Sequence, residues 1–293
     1  MRPTGKLLAL VAIIFSCGIA AFSQASPPPS AVSVLVTITN KKGQPVKFTA
    51  EDLKVKADRA PATVVSLTPL KNAPLVFVLL LDVSGSSTDQ MAVSHQAALR
   101  IFQSLATGSN RGYFGVFNQK VMISQQPLSP DKVKSELDAL DAEGKTVLYD
   151  AIVQASQTLS PESQPGAIRR ALIVISDGGD NCSHISLGKA LRAPQVAGVP
   201  VFALRLPTPI TSPEVEEGRR TFQEFSRTSG GYVTSLAGTT RFMPELLRYA
   251  LTSQYLLTFV PAKPAHDGKL HPLSVKASMK GLEISAPAHY LAK

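Results

Sequence analysis

Apolar and polar residues alternate over Ala31–Thr39 (AVSVLVTIT), the period of a strand with one buried face. Turn chemistry follows at Asn40-Lys41-Lys42-Gly43-Gln44-Pro45, and Leu53–Ala57 and Ala62–Leu67 are expected as a second pair of strands. From Pro74 the pattern changes. Leu75-Val76-Phe77-Val78-Leu79-Leu80-Leu81 is a continuous apolar run, which suits a parallel strand covered on both faces. Met91, Ala98, Leu99, Phe102 and Leu105 then recur at helical spacing. Further strands are expected at Gly112–Asn118, Lys120–Ser124, Ala171–Ser176, Val199–Leu204 and Gly231–Thr234. Helices are expected at Lys132–Leu140, Leu148–Leu159, Leu187–Ala197, around Phe222 and Phe225, and from Met243 to about Gln254. Strand alternating with helix predicts an α/β fold with a doubly wound, mostly parallel sheet. After Tyr255 the strand pattern returns at Tyr255–Val260, Leu273–Ala277 and Leu282–Ala286. These segments are expected to join the N-terminal strands in a small β module.

The start of the chain reads as a leader. Arg2 and Lys6 precede the apolar stretch Leu7–Phe22, and Ser23-Gln24-Ala25 supplies small residues for cleavage. The stretch falls short of the roughly 20 apolar residues of a comfortable span, although an uncleaved N-terminal anchor is the alternative. The expected divisions are 1–25 signal peptide, 26–73 linker and N-terminal β segment, 74–254 α/β domain and 255–293 C-terminal β segment. The expected location is outside the cytoplasm, periplasmic or extracellular, with no later span. Of the two cysteines, Cys17 leaves with the leader, so Cys182 has no partner for a disulfide. The formal charge of +9 falls by two with the leader. The remaining cations are scattered, densest at Lys41-Lys42, Arg169-Arg170 and Arg219-Arg220. Nucleic-acid binders concentrate their charge and interleave aromatics; the pattern here predicts a solvated basic surface and no nucleic-acid partner.

Chemistry concentrates at three separated stretches. Asp82-Val83-Ser84-Gly85-Ser86 follows the first buried strand, and Asp177-Gly178-Gly179-Asp180 follows the strand Ala171–Ser176. Gly144-Lys145-Thr146 precedes a helix. In a doubly wound sheet the first and fourth strands are neighbours, and a crevice opens at their carboxyl ends. Asp82 and Asp177 would stand side by side there, with Thr146 arriving from the loop above. The oxygen set of two carboxylates and three hydroxyls suits a hard cation, Mg²⁺ or Mn²⁺ before Zn²⁺. If the hydroxyls bind directly, the ion stays electrophilic and seeks an anionic ligand.

The pattern Asp82-x-Ser84-x-Ser86 with Thr146 and Asp177 resembles the metal-ion-dependent adhesion site (MIDAS) of von Willebrand factor type A (VWA) domains. That resemblance spans about Leu75 to Gln254. It implies that Ser84, Ser86 and Thr146 coordinate the metal, while Asp82 and Asp177 support it through water. The implied ion is Mg²⁺, with Mn²⁺ or Ca²⁺ as substitutes, and the implied partner is a protein offering an Asp or Glu carboxylate. Lys145 departs from the family, which often has Gly at that position. The flanks VSVLVTITNKKGQPV, Thr146-Val147-Leu148-Tyr149-Asp150-Ala151-Ile152 and Tyr255-Leu256-Leu257…Asp267-Gly268-Lys269 are similar to a family of exported bacterial VWA-related proteins.

Other residues carry plainer readings. Asp150 fits a helix-start acid favoured by the dipole, and Asp180 a loop residue; with Lys145 they are candidates for the shell around the metal ligands. Gly144-Lys145-Thr146 mimics the end of a phosphate-binding loop, but residue 139 is Ala where that motif needs Gly. Cys182-Ser183-His184 reads as a free thiol beside a surface histidine, and His95 as a hydrogen-bonded core residue. Ser84 lacks the Gly-x-Ser-x-Gly elbow of a hydrolase. A non-enzymatic binding module is therefore expected. The alternatives are an envelope scaffold in which metal only braces the loops, and a metal-dependent hydrolase.

Overall fold

The computed structural model describes residues 28, 30–40, 44, 46, 48–160, 168–207, 212–237 and 241–292. The segment expected to be a leader, with Cys17, lies outside the described residues. The chain enters through β1 (Val32–Asn40), β2 (Leu53–Ala57), β3 (Ala60–Pro61) and β4 (Thr63–Pro69). It continues as β5 (Leu75–Asp82), α1 (Met91–Leu105), β6 (Arg111–Phe117), β7 (Val121–Ile123), α2 (Pro130–Leu137) and α3 (Leu148–Thr158). Then follow β8 (Arg169–Ser176), α4 (Leu187–Ala197), β9 (Val201–Arg205), α5 (Pro213–Ser229), β10 (Tyr232–Ser235) and α6 (Met243–Thr252). It ends in β11 (Gln254–Val260), β12 (Leu270–Ala277), β13 (Leu282–Ser285) and β14 (His289–Leu291).

The central sheet runs β10-β9-β8-β5-β6-β7, and only β7 is antiparallel to its neighbour. Every residue of β5 and of β8 is buried, as the continuous apolar runs require. Alternate residues of β5 feed opposite layers. Phe77, Leu79 and Leu81 pack with α1, α2 and α6; Val76, Val78 and Leu80 pack with α3, α4 and α5. Gly112 on β6 sits where an added Cβ would lie 2.5 Å from the Phe77 ring and 2.6 Å from Phe102, so this position admits no larger side chain without movement. The α2 N-terminus follows a sequence cue: Ser129 caps it by accepting from Lys132 N, with Pro130 in the first turn.

The flanking strands form two four-stranded sheets, β13-β1-β11-β4 and β14-β12-β2-β3. They share one core, in which Val36, Ile38, Leu257 and Phe259 meet Leu53, Val55, Leu273 and Tyr290. The β module is thus a small sandwich built from both ends of the chain. The expected pairing of Leu53–Ala57 with Ala62–Leu67 is corrected: β2 pairs with β12 and β3, whereas β4 pairs with β11. Asp58 and Arg59 explain the misreading. Both adopt positive φ, 52° and 67°, and close a tight turn that uses only the short β3 as the return strand. Their residue types gave no glycine signal for such a turn. β14 also escaped detection, being three residues long.

Two further expectations change. Arg169 and Arg170 are not part of a solvated surface; each is 8 % exposed at the start of β8. Arg169 Nε donates to Ala73 O, and burial lowers the pKa of its guanidinium. Arg219 and Arg220 are on α5 and pair with Glu216, whose carboxyl is drawn down to about 2 chiefly by the Arg219 hydrogen bond. Among the described residues no helix is long and apolar enough to cross a membrane.

Candidate functional site at the carboxyl ends of the central strands

Because β5 and β8 are parallel neighbours in register, with Leu81 beside Ile175, their carboxyl ends deliver Asp82 and Asp177 to one edge of the sheet. Asp82 is fully buried. Its Oδ1 accepts from Ser84 N at 2.9 Å, and its Oδ2 accepts from the Ser176 hydroxyl. These described partners are neutral donors. Burial pushes the Asp82 carboxyl up to about 6; the bonds from Ser176 and Ser84 oppose this, and the nearby Asp177 charge adds to it. Ser84, itself buried, has its Oγ 3.2 Å from the exposed Ser86 Oγ, and the Ser86 hydroxyl donates to Asp177 Oδ2 at 3.0 Å. A hydrogen-bonded path thus runs from Ser84 through Ser86 to Asp177, above the buried Asp82.

The third stretch is attached by backbone. Gly85 N donates to Gly144 O at 3.0 Å, and Glu143 N donates to Val83 O at 2.9 Å. The left-handed residue of this contact is Gly144, with φ 78°, and not Gly85. Thr146 is buried. Its amide donates to Asn181 Oδ1, and its carbonyl accepts from Asn181 N and Cys182 N. Val147 N donates to Asn118 O at 2.8 Å. The segment carrying Thr146 is therefore held by the loop after Asp177 on one side and by the end of β6 on the other.

Sequence reasoning missed three of these supports. Asn181 clamps both polar groups of the Thr146 backbone. Ser176 donates to Asp82 and accepts from Gly178 N, joining both Asp loops through one hydroxyl. Gly218 on α5 would carry a Cβ 2.9 Å from Asp177 O, while a Cβ on Gly178 would lie 2.5 Å from Gly218 O. Two glycines thus let helix and loop touch. Gly178 was visible in the Asp177-Gly178-Gly179 run; Asn181 and Gly218 had no local pattern to mark them.

The candidate surrounding residues have distinct placements. Lys145 is exposed beside buried Thr146. Asp180 accepts from Tyr149 N and from the Ser183 hydroxyl, satisfying a free donor at the start of α3. Asp150 accepts from His184 N, Ile185 N and His184 Nδ1. Its pKa is lowered: burial would raise it, and the His184 and Ile185 donors outweigh burial. Both acids thus bind the Thr146 helix to the Asp177 loop. His184, though widely exposed, is anchored to Asp150. Cys182 is a free, half-buried thiol. His95 is a correction: its Nε2 is buried without a hydrogen bond among the described residues, and burial lowers its pKa. The Asp138 charge is near enough to oppose that shift, but no hydrogen bond to the ring nitrogen forms among the described residues.

Solved structures with this architecture include one described as von Willebrand factor type A from Catenulispora acidiphila, 13 % identical over 91 % of this chain and 75 % of that one, with a TM-score of 0.51. The fold is that of a VWA domain. The pilus adhesin SpaC of Lactobacillus rhamnosus GG, in its open conformation, shares it at 10 % identity over 84 % of this chain and 48 % of the adhesin, with a TM-score of 0.50. Proximal thread matrix protein 1 from the mussel byssus, described with a zinc-occupied MIDAS motif, aligns over 65 % of this chain and 48 % of its own, at 14 % identity and a TM-score of 0.48. No protein-family model and no curated protein matches the sequence. In this VWA fold Asp82, Ser84, Ser86 and Asp177 are linked by hydrogen bonds where β5 and β8 end, and Thr146 is tied by its backbone to the loop after Asp177. Among the described residues no three His, Cys, Asp or Glu gather as metal ligands. The donor set of this edge is mostly hydroxyl, which narrows the cations it suits to those that accept neutral oxygen.

Proposed function

We propose that the chain is an exported, non-enzymatic binding module that holds a divalent metal at the β5–β8 edge and captures an acidic group of a partner protein. Ser84, Ser86 and Thr146 would hold the ion through their hydroxyls, and Asp82 and Asp177 would support it through water. A bound Mg²⁺, or Mn²⁺ or Ca²⁺ in its place, supplies an electrophilic position for an anionic oxygen. The observation that carries the reading is the hydrogen-bonded path Ser84–Ser86–Asp177 over a buried Asp82 whose described partners are all neutral. Burying a carboxylate without a cation is costly, and a divalent ion beside it would lower that cost. The chemistry of the residues therefore fits the ion.

The chain's own groups prepare the site. Asn181 fixes the Thr146 backbone, so its side chain is presented from a constrained turn. Asp150 and Asp180 tie the Thr146 helix to the Asp177 loop. Their bonds run to backbone amides and to Ser183 and His184, which leaves them as braces and not as proton carriers. Lys145, exposed at the rim, would attract an acidic partner at long range. The pilus adhesin built on the same fold agrees with a binding role.

Calorimetry with Mg²⁺ tests this. The parent is expected to bind one ion, with Asp82→Ala and Thr146→Ala losing that heat while keeping the parent circular dichroism. Equal affinity in the variants would sink the assignment. Capture of a partner from envelope extract should need Mg²⁺ and fail with chelator; capture that survives chelator would favour the scaffold reading.

A further inference from the structure

The outward face of the sheet β14-β12-β2-β3 is cationic. Along β2 (Leu53-Lys54-Val55-Lys56-Ala57) the odd-numbered residues are buried, while Lys54 and Lys56 are exposed. Leu53, Val55 and Leu273 enter the core of the β module, so both lysines point away from it. On β12, Lys276 is the register partner of Lys54 and Ser274 that of Lys56, which puts all four on one face. Arg59 follows in the turn to β3, and Arg59, Pro61, Pro272 and Lys276 are exposed. β14 bounds this face at the seam with the VWA domain, where His289 meets Gln195 of α4.

These cations have no counter-charge within the sheet. Among the described residues, Lys54, Lys56, Arg59 and Lys276 enter no side-chain hydrogen bond or ion pair. None of the four strands contains Asp or Glu. The acids of the adjoining turns, Asp58 and Asp267, are both engaged by His271. Just before β2, Asp52 accepts from Thr49 N, and Glu51 is left exposed. Lys54 directly opposite Lys276 is a like-charge pair, which destabilises a sheet. Arg59 adds a second cost by holding φ 67°, a left-handed conformation disfavoured for a residue with a side chain. Asp58 N donates to Pro272 O and fixes that turn, yet the guanidinium it presents meets no partner among the described residues. Strain and repulsion kept without an internal gain point to a ligand outside the chain.

The arrangement suits a surface better than a compact ligand. Lys54 and Lys56 are roughly 7 Å apart along one strand, with Lys276 on the next, so the charge is spread over a plane. Beside Lys56 and Arg59 the plane holds a shallow hollow of about 240 Å³, lined also by Pro272, Leu273 and Ser274, which offers a seat for a phosphate headgroup. Beyond β12 the turn Ser278-Met279-Lys280 exposes an apolar side chain beside another cation. The outward positions Lys54, Lys56, Pro61, Pro272, Ser274 and Lys276 include no aromatic ring on which a single-stranded nucleic acid could stack.

We propose that this face docks on an anionic phospholipid surface, with Lys54, Lys56, Arg59 and Lys276 toward the headgroup phosphates and Met279 toward the acyl boundary. The contact needs no metal and is independent of the β5–β8 edge, so its test is run in chelator. Full-length protein is sedimented with vesicles of phosphatidylcholine alone or of an equimolar mixture with phosphatidylglycerol. Retention is expected on the mixed vesicles only, and it should fall with added salt. Each cation beside such a surface contributes about fivefold, so Lys54→Gln with Lys276→Gln is expected to weaken binding about 25-fold and Arg59→Gln about fivefold. The double variant loses a like-charge pair and should melt no lower than the parent, which separates lost binding from lost fold. Lys132→Gln with Lys189→Gln makes the same charge change on α2 and α4, and is expected to alter affinity less than about twofold. Equal retention on neutral vesicles, unchanged binding by the β2–β12 double variant, or an equal loss in the α2–α4 variant would overturn the proposal. So would tighter binding of heparin or of inorganic phosphate than of vesicles at equal charge.

Discussion

At the scale of single residues, the decisive feature is that Asp82 has no exposure and only neutral described donors. Asp82→Asn preserves the volume and removes the charge whose burial raises the pKa to about 6. In chelator at pH 7 this variant is expected to melt no lower than the parent, and Mg²⁺, which should raise the parent's Tm, is expected to leave the variant's unchanged. A metal-dependent rise in the variant would show that Asp82 has no part in holding the ion. Gly178 is a second sensitive point. With φ 93° and a would-be Cβ 2.5 Å from Gly218 O, Gly178→Ala combines backbone strain with a backbone clash. A loss of about 2–4 kcal/mol in urea unfolding is expected, above the 1–3 kcal/mol typical of a strained conformation alone. The motif residues were legible because their side-chain types carry the chemistry. Asn181 and Ser176 were not, since each acts on atoms brought near it only by folding.

At the scale of elements, β5 shows how a sequence pattern becomes a structural constraint. Its alternate residues serve two helical layers, so neither face tolerates a cavity. Leu79→Ala is expected to cost about 2–5 kcal/mol, read from denaturant unfolding. The β module contains a different device. His271 Nδ1 lies 3.0 Å from Asp58 Oδ1, its Nε2 lies 3.1 Å from Asp267 Oδ1, and the Tyr290 hydroxyl donates to Asp58 at 2.9 Å. A ring engaged on both nitrogens by carboxylates is an imidazolium, and the Asp58 and Asp267 bonds raise its pKa, against a small burial effect. Among the described residues Lys269 also acts on this group, through Asp267. A folded-state pKa above the unfolded 6.5 means stability fully present below pH 6.5 and lost as pH rises through the folded value. Thermal unfolding between pH 6 and 9 is therefore expected to show Tm falling with pH. His271→Phe, which keeps a ring against Tyr290, should flatten that dependence; an unchanged slope would assign it to other groups.

At the scale of the whole molecule, the N- and C-terminal segments fold together. β11 sits between β1 and β4, and β12 between β14 and β2. Cutting the chain after Thr252 removes every strand paired with β1 and β4, and leaves β2 only the two-residue β3. The seam also joins the modules through Gln254 Nε2 to Arg170 O and His289 to Gln195. The full chain is expected to unfold in one cooperative transition by both fluorescence and circular dichroism. The shortened chain should keep slow hydrogen exchange in β5 and β8 and lose it in β1 and β2. Two separated transitions in the full chain would mean that the seam transmits little stability.

The sequence by itself determined the order of strands and helices in the central sheet, because hydrophobic period is a local property and each segment carries its own. It also determined the oxygen chemistry gathered at residues 82–86, 146 and 177, since side-chain type needs no folding to be read. Tertiary structure alone decided the partners of β2 and β4, the burial of Arg169 and Arg170, the clamp by Asn181 and the cationic face shared by β2 and β12. Each of these joins atoms far apart along the chain, and which distant groups meet is set by packing of the whole, with little trace in any one stretch.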